Sequence, residues 1–238
     1  MFPKLTENAR LEGIKEDEED GVAVLQTNKQ ENKPTHGKIP RAILITALLL
    51  AVFAVAGNFI KDGLTTWIPS ILKDEYGLSA SLSILLTLCL PVVSIFGNLF
   101  ANKLYKYIGD FIMVCGVLFF GATVLTGCVI GSLSLNMVAI TLIAFSFTCF
   151  LSSSAHSAIV SVFPLQMKGK INSGLMAGVL NGCCYVGSAI SSYGLGAVAD
   201  NWGWTTVFWL LFSVCATCTV FALIYRIVKI FIRNKRDN

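Results

Sequence analysis

The stretch most able to do chemistry is Asn58–Pro69, in which Lys61 and Asp62 close an apolar run that begins at Ala42. A charged side chain at membrane depth is costly unless it faces a protein interior or a water-filled cavity. An ammonium group in such a cavity attracts the negative group of a bound solute. Lys61 is therefore the first candidate for substrate binding, and Asp62 is a candidate for a structural or gating ion pair or for proton coupling.

Lys61 also has two simpler interpretations, and the sequence leaves both open. It lies towards one end of its apolar run, so its flexible stem could carry the ammonium group to the membrane interface. It could also form a local ion pair with Asp62, although consecutive helix positions do not face each other. In neither case would Lys61 need to touch a solute.

Three further polar side chains lie within apolar stretches: His156, Asn181 and Tyr185. His156 is expected to be neutral and hydrogen-bonded between helices, but an ordinary histidine pKa of about 6.5 also permits proton coupling. Asn181 and Tyr185 are one helical turn apart on one face, where both can hydrogen-bond a polar ligand. All three are candidate functional residues, with helix packing as the alternative.

The eight cysteines all lie within or beside apolar stretches, which is not the pattern of a secreted disulfide framework. Cys215 and Cys218 have the spacing of redox and zinc motifs but no histidine nearby, so we interpret them as small packing residues. The sequence shows no Ser/His/Asp, Cys/His or paired-carboxylate arrangement. It therefore predicts no metal site, no cofactor and no enzymatic activity.

The overall composition indicates the environment in which these residues act. The 238-residue chain is 55% hydrophobic and 13% charged, whereas a typical soluble domain has about 25% charged residues. Its mean hydropathy is +0.71. The chain is therefore predicted to be an integral protein of the lipid bilayer. Its net charge of +4 is spread over membrane-flanking segments, so no nucleic acid partner is expected.

The apolar residues form six blocks, each near the length of about 20 residues that a membrane helix needs. Short connections make successive blocks antiparallel neighbours. We predict an all-α integral membrane fold, with a six-helix transmembrane domain over residues 41–230. Its predicted spans are Arg41–Trp67, Leu78–Asn102, Phe111–Gly131, Leu133–Val162, Ile171–Ala199 and Trp204–Lys229.

Charge sets the expected orientation and the nature of the flanking regions. Residues 1–40 are polar and are predicted to be a largely disordered cytosolic linker. Lysine and arginine collect at one end of the spans and in residues 231–238, whereas the loops at the other end carry only Lys73, beside Asp74 and Glu75. By the positive-inside rule both termini are cytosolic, and residues 231–238 form a basic cytosolic tail.

The fifth span has closely spaced small residues. Gly174, Gly178 and Gly182 form two consecutive Gly-xxx-Gly steps. The small-residue pattern continues through five further residues: Gly187, Ser188, Ser191, Ser192 and Gly196. Such a face lets two helix backbones approach closely. We therefore predict tight helix packing along it, which would also allow the helix to slide or rock beside a cavity.

Three segments resemble one transporter family. Lys61–Leu72 is similar to the end of the seventh helix of major facilitator superfamily transporters, where an Arg precedes a Gly by two positions and a Trp-x-Pro follows. Ser173–Gly187 resembles the eleventh helix, and Gly196–Phe208 resembles the turn before the last helix. Residues 41–230 resemble the C-terminal six-helix half of this superfamily, and within it the organophosphate:phosphate antiporters (glycerol-3-phosphate and hexose-phosphate transporters).

This resemblance implies a function. Transporters of this kind bind substrate near the membrane midplane between two six-helix halves, which rock to give alternating access. Lys61 falls on the family's phosphate-binding Arg, Asn58 on a substrate-facing Tyr, and Tyr185 on a Tyr near the binding site. The resemblance implies antiport or symport of a small anionic organic solute, such as an organophosphate, across a bacterial plasma membrane. Asn58, Asn181 and Tyr185 would orient the solute.

The sequence also departs from the family pattern. Asn98 and Asn102 before Lys103 stand where the family usually has Gly-x-x-x-Asp-Arg/Lys. Lys61 replaces an Arg, which exchanges a bidentate fork for a point charge. The family's first six helices have no counterpart in this sequence, so the resemblance implies an N-terminal half on another chain or a second copy of this one. The alternative function is a non-transporting membrane interaction protein or an inactive fragment of a split transporter gene.

Overall fold

The computed structural model describes residues 41–237, so the linker predicted for residues 1–40 lies outside the described residues. Every named element in the described range is helical. The elements are α1 (Arg41–Tyr76), α2 (Ala80–Thr87), α3 (Cys89–Ile95), α4 (Gly97–Ile108), α5 (Phe111–Ser134), α6 (Val138–Ser157), a π-helical segment (Ala158–Val162), α7 (Phe163–Gln166) and α8 (Ser173–Asp237). The backbone of α8 continues through the predicted basic tail as far as Asp237.

The described residues form helices of membrane-spanning length. Four segments are long and apolar enough to cross a bilayer, and the bent pair Ala80–Ile95 and Leu99–Ile108, which turns by 42°, adds a fifth. The segment Ser173–Ile232 is 60 residues long, whereas one span needs only about 20 residues. It is interrupted at Gly203, where φ 77° and ψ 168° are not helical, so α8 has two arms, each longer than the minimum for one span. The predicted all-α membrane bundle is confirmed.

α1 continues past its predicted end at Trp67 to Tyr76, with Pro69 inside it. Proline removes a backbone donor, but a membrane helix tolerates it where neighbouring helices pack against the disturbed turn. Ile71 and Leu72, beyond the proline, are buried in the core. Apolar burial thus extends the helix beyond the point where hydropathy alone predicts its end.

The core of the bundle lies where α1, α5, α6 and the two arms of α8 meet. Phe53 on α1 is buried against Phe119 on α5, with ring centroids 5.6 Å apart. Phe145 on α6 and Phe208 in the second arm of α8 stack with their centroids 5.6 Å apart. Large apolar side chains such as Leu48 stay exposed on the outside. An apolar exterior is what a surface in contact with lipid requires.

α1 and the first arm of α8 approach each other very closely. A Cβ added at Gly187 would lie 2.1 Å from the carbonyl oxygen of Val55, and one added at Gly63 would lie 2.5 Å from Cδ1 of Leu195. A larger residue at Gly187 would push the two backbones apart, whereas one at Gly63 would displace the Leu195 side chain. This contact fixes the first arm of α8 beside the charged part of α1.

The part of the small-residue face that contains Gly178 and Gly182 is not in close contact with another described helix. Within the described residues, a Cβ at Gly178 or Gly182 would meet no atom within 4 Å. The prediction of tight packing at these two glycines was therefore wrong for this bundle. Their spacing shows that they share a helix face, but not which neighbour that face meets. The tight packing predicted for the same span is confirmed at Gly187 and at Gly196, where an added Cβ would lie 2.5 Å from the Trp67 ring.

Polar contacts tie the helix ends together. Asp110 caps α5 by accepting hydrogen bonds from two amide groups of the first turn, at 3.0 and 3.3 Å, and forms an ion pair with Lys229. At the opposite end of the bundle, Nε1 of Trp204 donates to Asp74 at 3.1 Å. The second arm of α8 is thus attached to α5 at one end and to α1 at the other.

Candidate functional site

A cavity of about 370 Å³ opens between α1, α3 and α6, and we name it the Lys61 cavity. Three predicted site residues line it: Lys61, Asp62 and His156. The other lining residues add three hydroxyl groups and an apolar edge; they are Thr65, Pro91, Ser94, Ile95 and Ser153. The charged part of an apolar helix therefore faces a polar cavity, which is the setting that a functional intramembrane charge requires.

Lys61 and Asp62 form an ion pair across adjacent helix positions. Nζ of Lys61 lies 3.3 Å from Oδ1 of Asp62, and the two side chains are 25% and 32% exposed. Consecutive side chains leave a helix in different directions, but the flexible lysine stem bridges that separation. The ion pair that the sequence left open is present, and both groups remain accessible from the cavity. The role of Lys61 in the cavity stays a prediction.

A chain of hydrogen bonds connects Asp62 to His156 through two further side chains. The Ser188 hydroxyl, on the first arm of α8, donates to Oδ2 of Asp62. Nδ2 of Asn58 donates to Oγ of Ser188 at 3.3 Å. Nδ1 of His156 lies 3.0 Å from Oδ1 of Asn58. The chain joins α1, α6 and α8, so it holds these three helices in a fixed arrangement around the charged pair.

The direction of these bonds sets the position of the hydrogen on His156. Because the amide nitrogen of Asn58 donates to Ser188, the amide oxygen is the acceptor that faces His156. Nδ1 of His156 must therefore carry a hydrogen and donate it. In a neutral ring, Nε2 is left with a lone pair, and the half-buried ring lines the Lys61 cavity. The interhelical hydrogen bond predicted for His156 is confirmed.

His156 stands next to an irregularity in its helix. α6 ends at Ser157 and is followed directly by the π-helical segment Ala158–Val162. Such segments are rare and often mark functional sites. Close packing supports the same stretch, since a Cβ at Gly97 on α4 would lie 3.0 Å from the backbone nitrogen of Ser154. The bent second span (α2 to α4) and the fourth span (α6 and the π-helical segment) therefore meet beside the cavity.

Comparison with known protein families identifies the kind of protein that carries this site. Residues 47–236 match the model of the Major Facilitator Superfamily. This chain belongs to the Major Facilitator Superfamily. No curated protein matches the chain. Major facilitator proteins are secondary transporters of small-molecule solutes in the lipid bilayer, rather than enzymes.

The match identifies the superfamily but no particular group within it. It confirms the predicted major facilitator resemblance, and with the apolar helices it confirms an integral membrane protein. The narrower resemblance to organophosphate:phosphate antiporters stays a prediction. The bacterial plasma membrane and the cytosolic position of both termini also stay predictions.

Two residues predicted from the major facilitator resemblance lie away from the Lys61 cavity. The Tyr185 side chain is 66% exposed, and Asn181 is half-buried one turn earlier on α8. Neither residue lines the cavity. Tyr185 is exposed like Gly182 on the open side of α8, whereas Ser188 reaches the charged pair from the packed side. The predicted helix thus contributes to the site, but through Ser188.

Sequence reasoning missed four polar residues of this major facilitator site; they are Thr65, Ser94, Ser153 and Ser188. Oγ1 of Thr65 donates to the carbonyl oxygen of Lys61 at 2.8 Å, and Ser94 donates to a carbonyl one turn earlier at 2.9 Å. Their hydrogens are therefore in use, and a hydroxyl in this state can only accept further hydrogen bonds. Helical spacing signals Thr65, one turn after Lys61, and Ser153, three residues before His156.

The cysteines of this major facilitator protein act as packing residues. All eight thiols are free, and Cys115, Cys149 and Cys184 are among those that are buried. In the range 41–237, no group of three or more His, Cys, Asp or Glu residues is arranged to hold a metal ion.

Proposed function

We propose that this chain forms one half of a secondary transporter that moves a small anionic organic solute, such as an organophosphate, by alternating access. The observation that carries the proposal is the position of Lys61. Its side chain lines a cavity of about 370 Å³ between membrane helices and stays 25% exposed. A charge at membrane depth is costly to maintain, and a role in substrate binding explains why it is kept.

The Lys61 cavity has the size and chemistry for a small polar solute. Its volume of about 370 Å³ lies within the range of about 300–1,000 Å³ that is common for small-molecule sites. Lys61 would neutralise an anionic group of the solute. The oxygens of Thr65 and Ser94, and Nε2 of His156, would accept hydrogen bonds from its hydroxyl groups. This combination fits a hydroxylated anion such as a phosphorylated polyol.

Three predicted residues serve this site in different ways. Asn58 is 4% exposed, so we assign it the positioning of His156 and Ser188 rather than contact with the solute. Asp62 and His156 line the cavity and can each change charge. We therefore assign gating or proton coupling to these two residues.

We place the opposite wall of the site in a second six-helix half, carried by another chain or by a second copy of this one. In this superfamily the substrate binds between two such halves. Tyr185 and Tyr193 on α8 are 66% and 85% exposed. Gly178 and Gly182 on the same arm leave space for the close approach of another helix. In the closed assembly, Asn181 and Tyr185 would orient the solute.

We place the protein in a bacterial plasma membrane with both termini cytosolic. Two pairs of lysines at the same end of the bundle support this orientation; they are Lys103 and Lys106 in the second half of α4, and Lys168 and Lys170 in the connection between α7 and α8. The opposite end of α1 carries Lys73 beside two acidic residues. Short loops rich in lysine and arginine stay on the cytosolic side. The bacterial location rests on the resemblance to organophosphate:phosphate antiporters.

Uptake into vesicles tests the proposed function. Radiolabelled phosphate and glycerol-3-phosphate are offered to vesicles that hold this chain alone or with a co-expressed N-terminal half. Each preparation is repeated with Lys61→Ala and with Lys73→Ala, a matched control at the exposed end of the same helix.

Uptake that is lost with Lys61→Ala and kept with Lys73→Ala would support the transporter. A need for the N-terminal half would show which chain supplies the second wall, whereas uptake by this chain alone would indicate a second copy. No uptake in any combination would contradict the proposal for these anions. The alternative of a non-transporting membrane interaction protein would then be favoured.

A further inference from the structure

A groove runs along the outside of the bundle where α5 packs against the second arm of α8, and we name it the Arg226 groove. It encloses about 310 Å³ and shares no lining residue with the Lys61 cavity. Each helix contributes four lining residues; they are Met113, Gly116, Val117 and Phe120 on α5, and Thr219, Ala222, Leu223 and Arg226 on α8. Both sets have the spacing of a single helix face, so the groove follows the two helix axes.

Small residues form the floor of the Arg226 groove. A Cβ added at Gly116 would lie 2.5 Å from the Cβ of Ala222, so the two backbones are close at this point. Larger apolar side chains on both helices are exposed beside the floor; they are Val117, Phe120 and Leu223. The groove is therefore open to the surroundings of the bundle, and at membrane depth these surroundings are lipid.

The Arg226 groove is apolar over most of its length. Thr219 is buried at one end, and its hydroxyl donates to the carbonyl oxygen of Cys215 at 2.9 Å. The lining covers seven steps along each helix, or about 10 Å. This length is less than half of the hydrocarbon core of about 30 Å. An acyl chain of one leaflet can therefore follow the groove from end to end.

Arg226 places a positive charge at the other end of the groove. Lys229 contacts Asp110 at the start of α5, while Ala222 is level with Gly116 further along that helix. The two helices are therefore antiparallel. Arg226 lies between these two contacts, so it is level with the first turns of α5, close to the membrane surface.

Arg226 is available to a ligand. Its side chain is exposed, and among the residues that the structure describes it has no acidic partner. Lys229, three positions later, differs because it is paired with Asp110. A guanidinium group presents a planar fork of donors that matches a phosphate group. A ligand with an apolar chain and an anionic phosphate head would therefore match the groove along its whole length.

We propose that the Arg226 groove binds an anionic phospholipid, with the phosphate on Arg226 and one acyl chain between Val117 and Leu223. This inference is independent of the solute proposed for the Lys61 cavity. The head group lies at the end of the bundle that we place in the cytosol, where the membrane surface is rich in anionic lipids. Basic pockets between membrane helices on that side bind anionic head groups in other proteins. A zwitterionic lipid carries its own cation beside the phosphate and so gains less from Arg226.

Native mass spectrometry of the full chain in an uncharged detergent tests this proposal by counting retained lipids. Dioleoyl phosphatidylglycerol is the anionic probe, and dioleoyl phosphatidylcholine has the same chains without net charge. Arg226→Gln removes the head-group contact. Lys106→Gln is its control, because Lys106 is exposed near the end of α4 that leads into α5 and does not line the groove. Val117→Trp fills the groove, and Val124→Trp is its control seven positions along the same helix; these valines are 46% and 53% exposed.

The wild type should bind phosphatidylglycerol about tenfold more tightly than phosphatidylcholine, because a hydrogen bond to a charged group is strong. Arg226→Gln and Val117→Trp should each lose about tenfold in affinity, whereas Lys106→Gln and Val124→Trp should keep the wild-type value. Equal losses in Arg226→Gln and Lys106→Gln would overturn the proposal, and so would equal affinity for the two lipids. Oleate that binds as tightly as phosphatidylglycerol would overturn the phospholipid as the occupant. A dimer that is lost in Val117→Trp would show a contact between two copies and would also overturn it.

Thermal unfolding of the same preparations gives an independent readout. A ligand that binds only the folded protein raises the unfolding midpoint. Phosphatidylglycerol should therefore raise the midpoint of the wild type, and phosphatidylcholine should not. Arg226→Lys should keep most of this rise because it keeps a phosphate-binding charge, and Arg226→Gln should lose it. Midpoints without lipid show that each variant is folded, and an equal rise in the wild type and Arg226→Gln would overturn the proposal.

Discussion

Ser188 on α8 donates a hydrogen bond to Asp62 on α1, although the two residues are 126 positions apart in the chain. The same hydroxyl accepts a hydrogen bond from Asn58 at 3.3 Å, so two polar groups of α1 share one side chain of α8. The contact depends on the glycine at position 187, just before the serine. Any other residue there would place its Cβ 2.1 Å from a carbonyl oxygen of α1. The close packing of α1 and α8 at Gly187 therefore makes the polar contact at Ser188 possible.

Replacement of Ser188 with Ala should destabilise the interface between α1 and α8. The change leaves the buried Asn58 amide without one hydrogen-bond partner, and an unsatisfied buried polar group costs about 1–3 kcal/mol. Asp62 also loses a partner but stays accessible from the cavity. We expect a lower midpoint of thermal unfolding in detergent. Ser192→Ala is the matched control, because the Ser192 hydroxyl donates to a carbonyl oxygen of its own helix. Equal losses in the two variants would contradict the bridging role of Ser188.

Two replacements of Lys61 should show whether solute binding depends on its positive charge or on the shape of its side chain. A hydrogen bond to a charged group contributes about 1.5–3 kcal/mol, so Lys61→Ala should weaken phosphate binding about 10- to 100-fold. Lys61→Arg should keep most of the affinity because a guanidinium group binds phosphate through a planar fork. Equilibrium binding of radiolabelled phosphate to the vesicles would measure both. Wild-type affinity in Lys61→Ala would remove Lys61 from the site.

The sequence predicts the charged part of the site much better than the neutral part. Lys61 and Asp62 stand out because charges are rare and costly within apolar spans. Ser188 does not stand out, since hydroxyl residues are common in membrane helices and often bond their own backbone. Its role depends on a contact with a helix far away in the chain. Tyr185 lies one turn before Ser188 but is exposed, and a sequence pattern does not distinguish these two environments.

The same limit applies to the fold. Hydropathy predicts the six spans because each must be apolar over the thickness of a bilayer. It does not predict that α1 continues through Pro69 to Tyr76, since that extension depends on burial against other helices. The small-residue pattern correctly predicts close packing at Gly187, but it does not show that the face of Gly178 and Gly182 is open in this bundle.

Two glycines of α8 should respond in opposite ways to the same substitution. Gly187→Ala places a methyl group against the backbone of Val55, and overpacking of this kind costs about 1–3 kcal/mol. Gly178→Ala meets no atom within 4 Å in the described residues, and alanine has a helix propensity about 1 kcal/mol more favourable than that of glycine. Thermal unfolding of the full chain should therefore shift down for Gly187→Ala and not for Gly178→Ala. Similar midpoints for both variants would contradict the close contact between α1 and α8.

Asp110 should be more important as a helix cap than as a partner of Lys229. Asp110→Asn keeps a capping side chain and loses the charge, whereas Asp110→Ala loses both. Loss of a cap costs about 0.5–2 kcal/mol, but an exposed ion pair contributes only about 0.2–1 kcal/mol, and the Lys229 side chain is 60% exposed. Denaturant unfolding should rank Asp110→Ala as clearly less stable than Asp110→Asn. Lys229→Ala removes only the ion pair, so it should match Asp110→Asn. If Asp110→Asn instead matched Asp110→Ala, the ion pair would be the main attachment of α8 to α5.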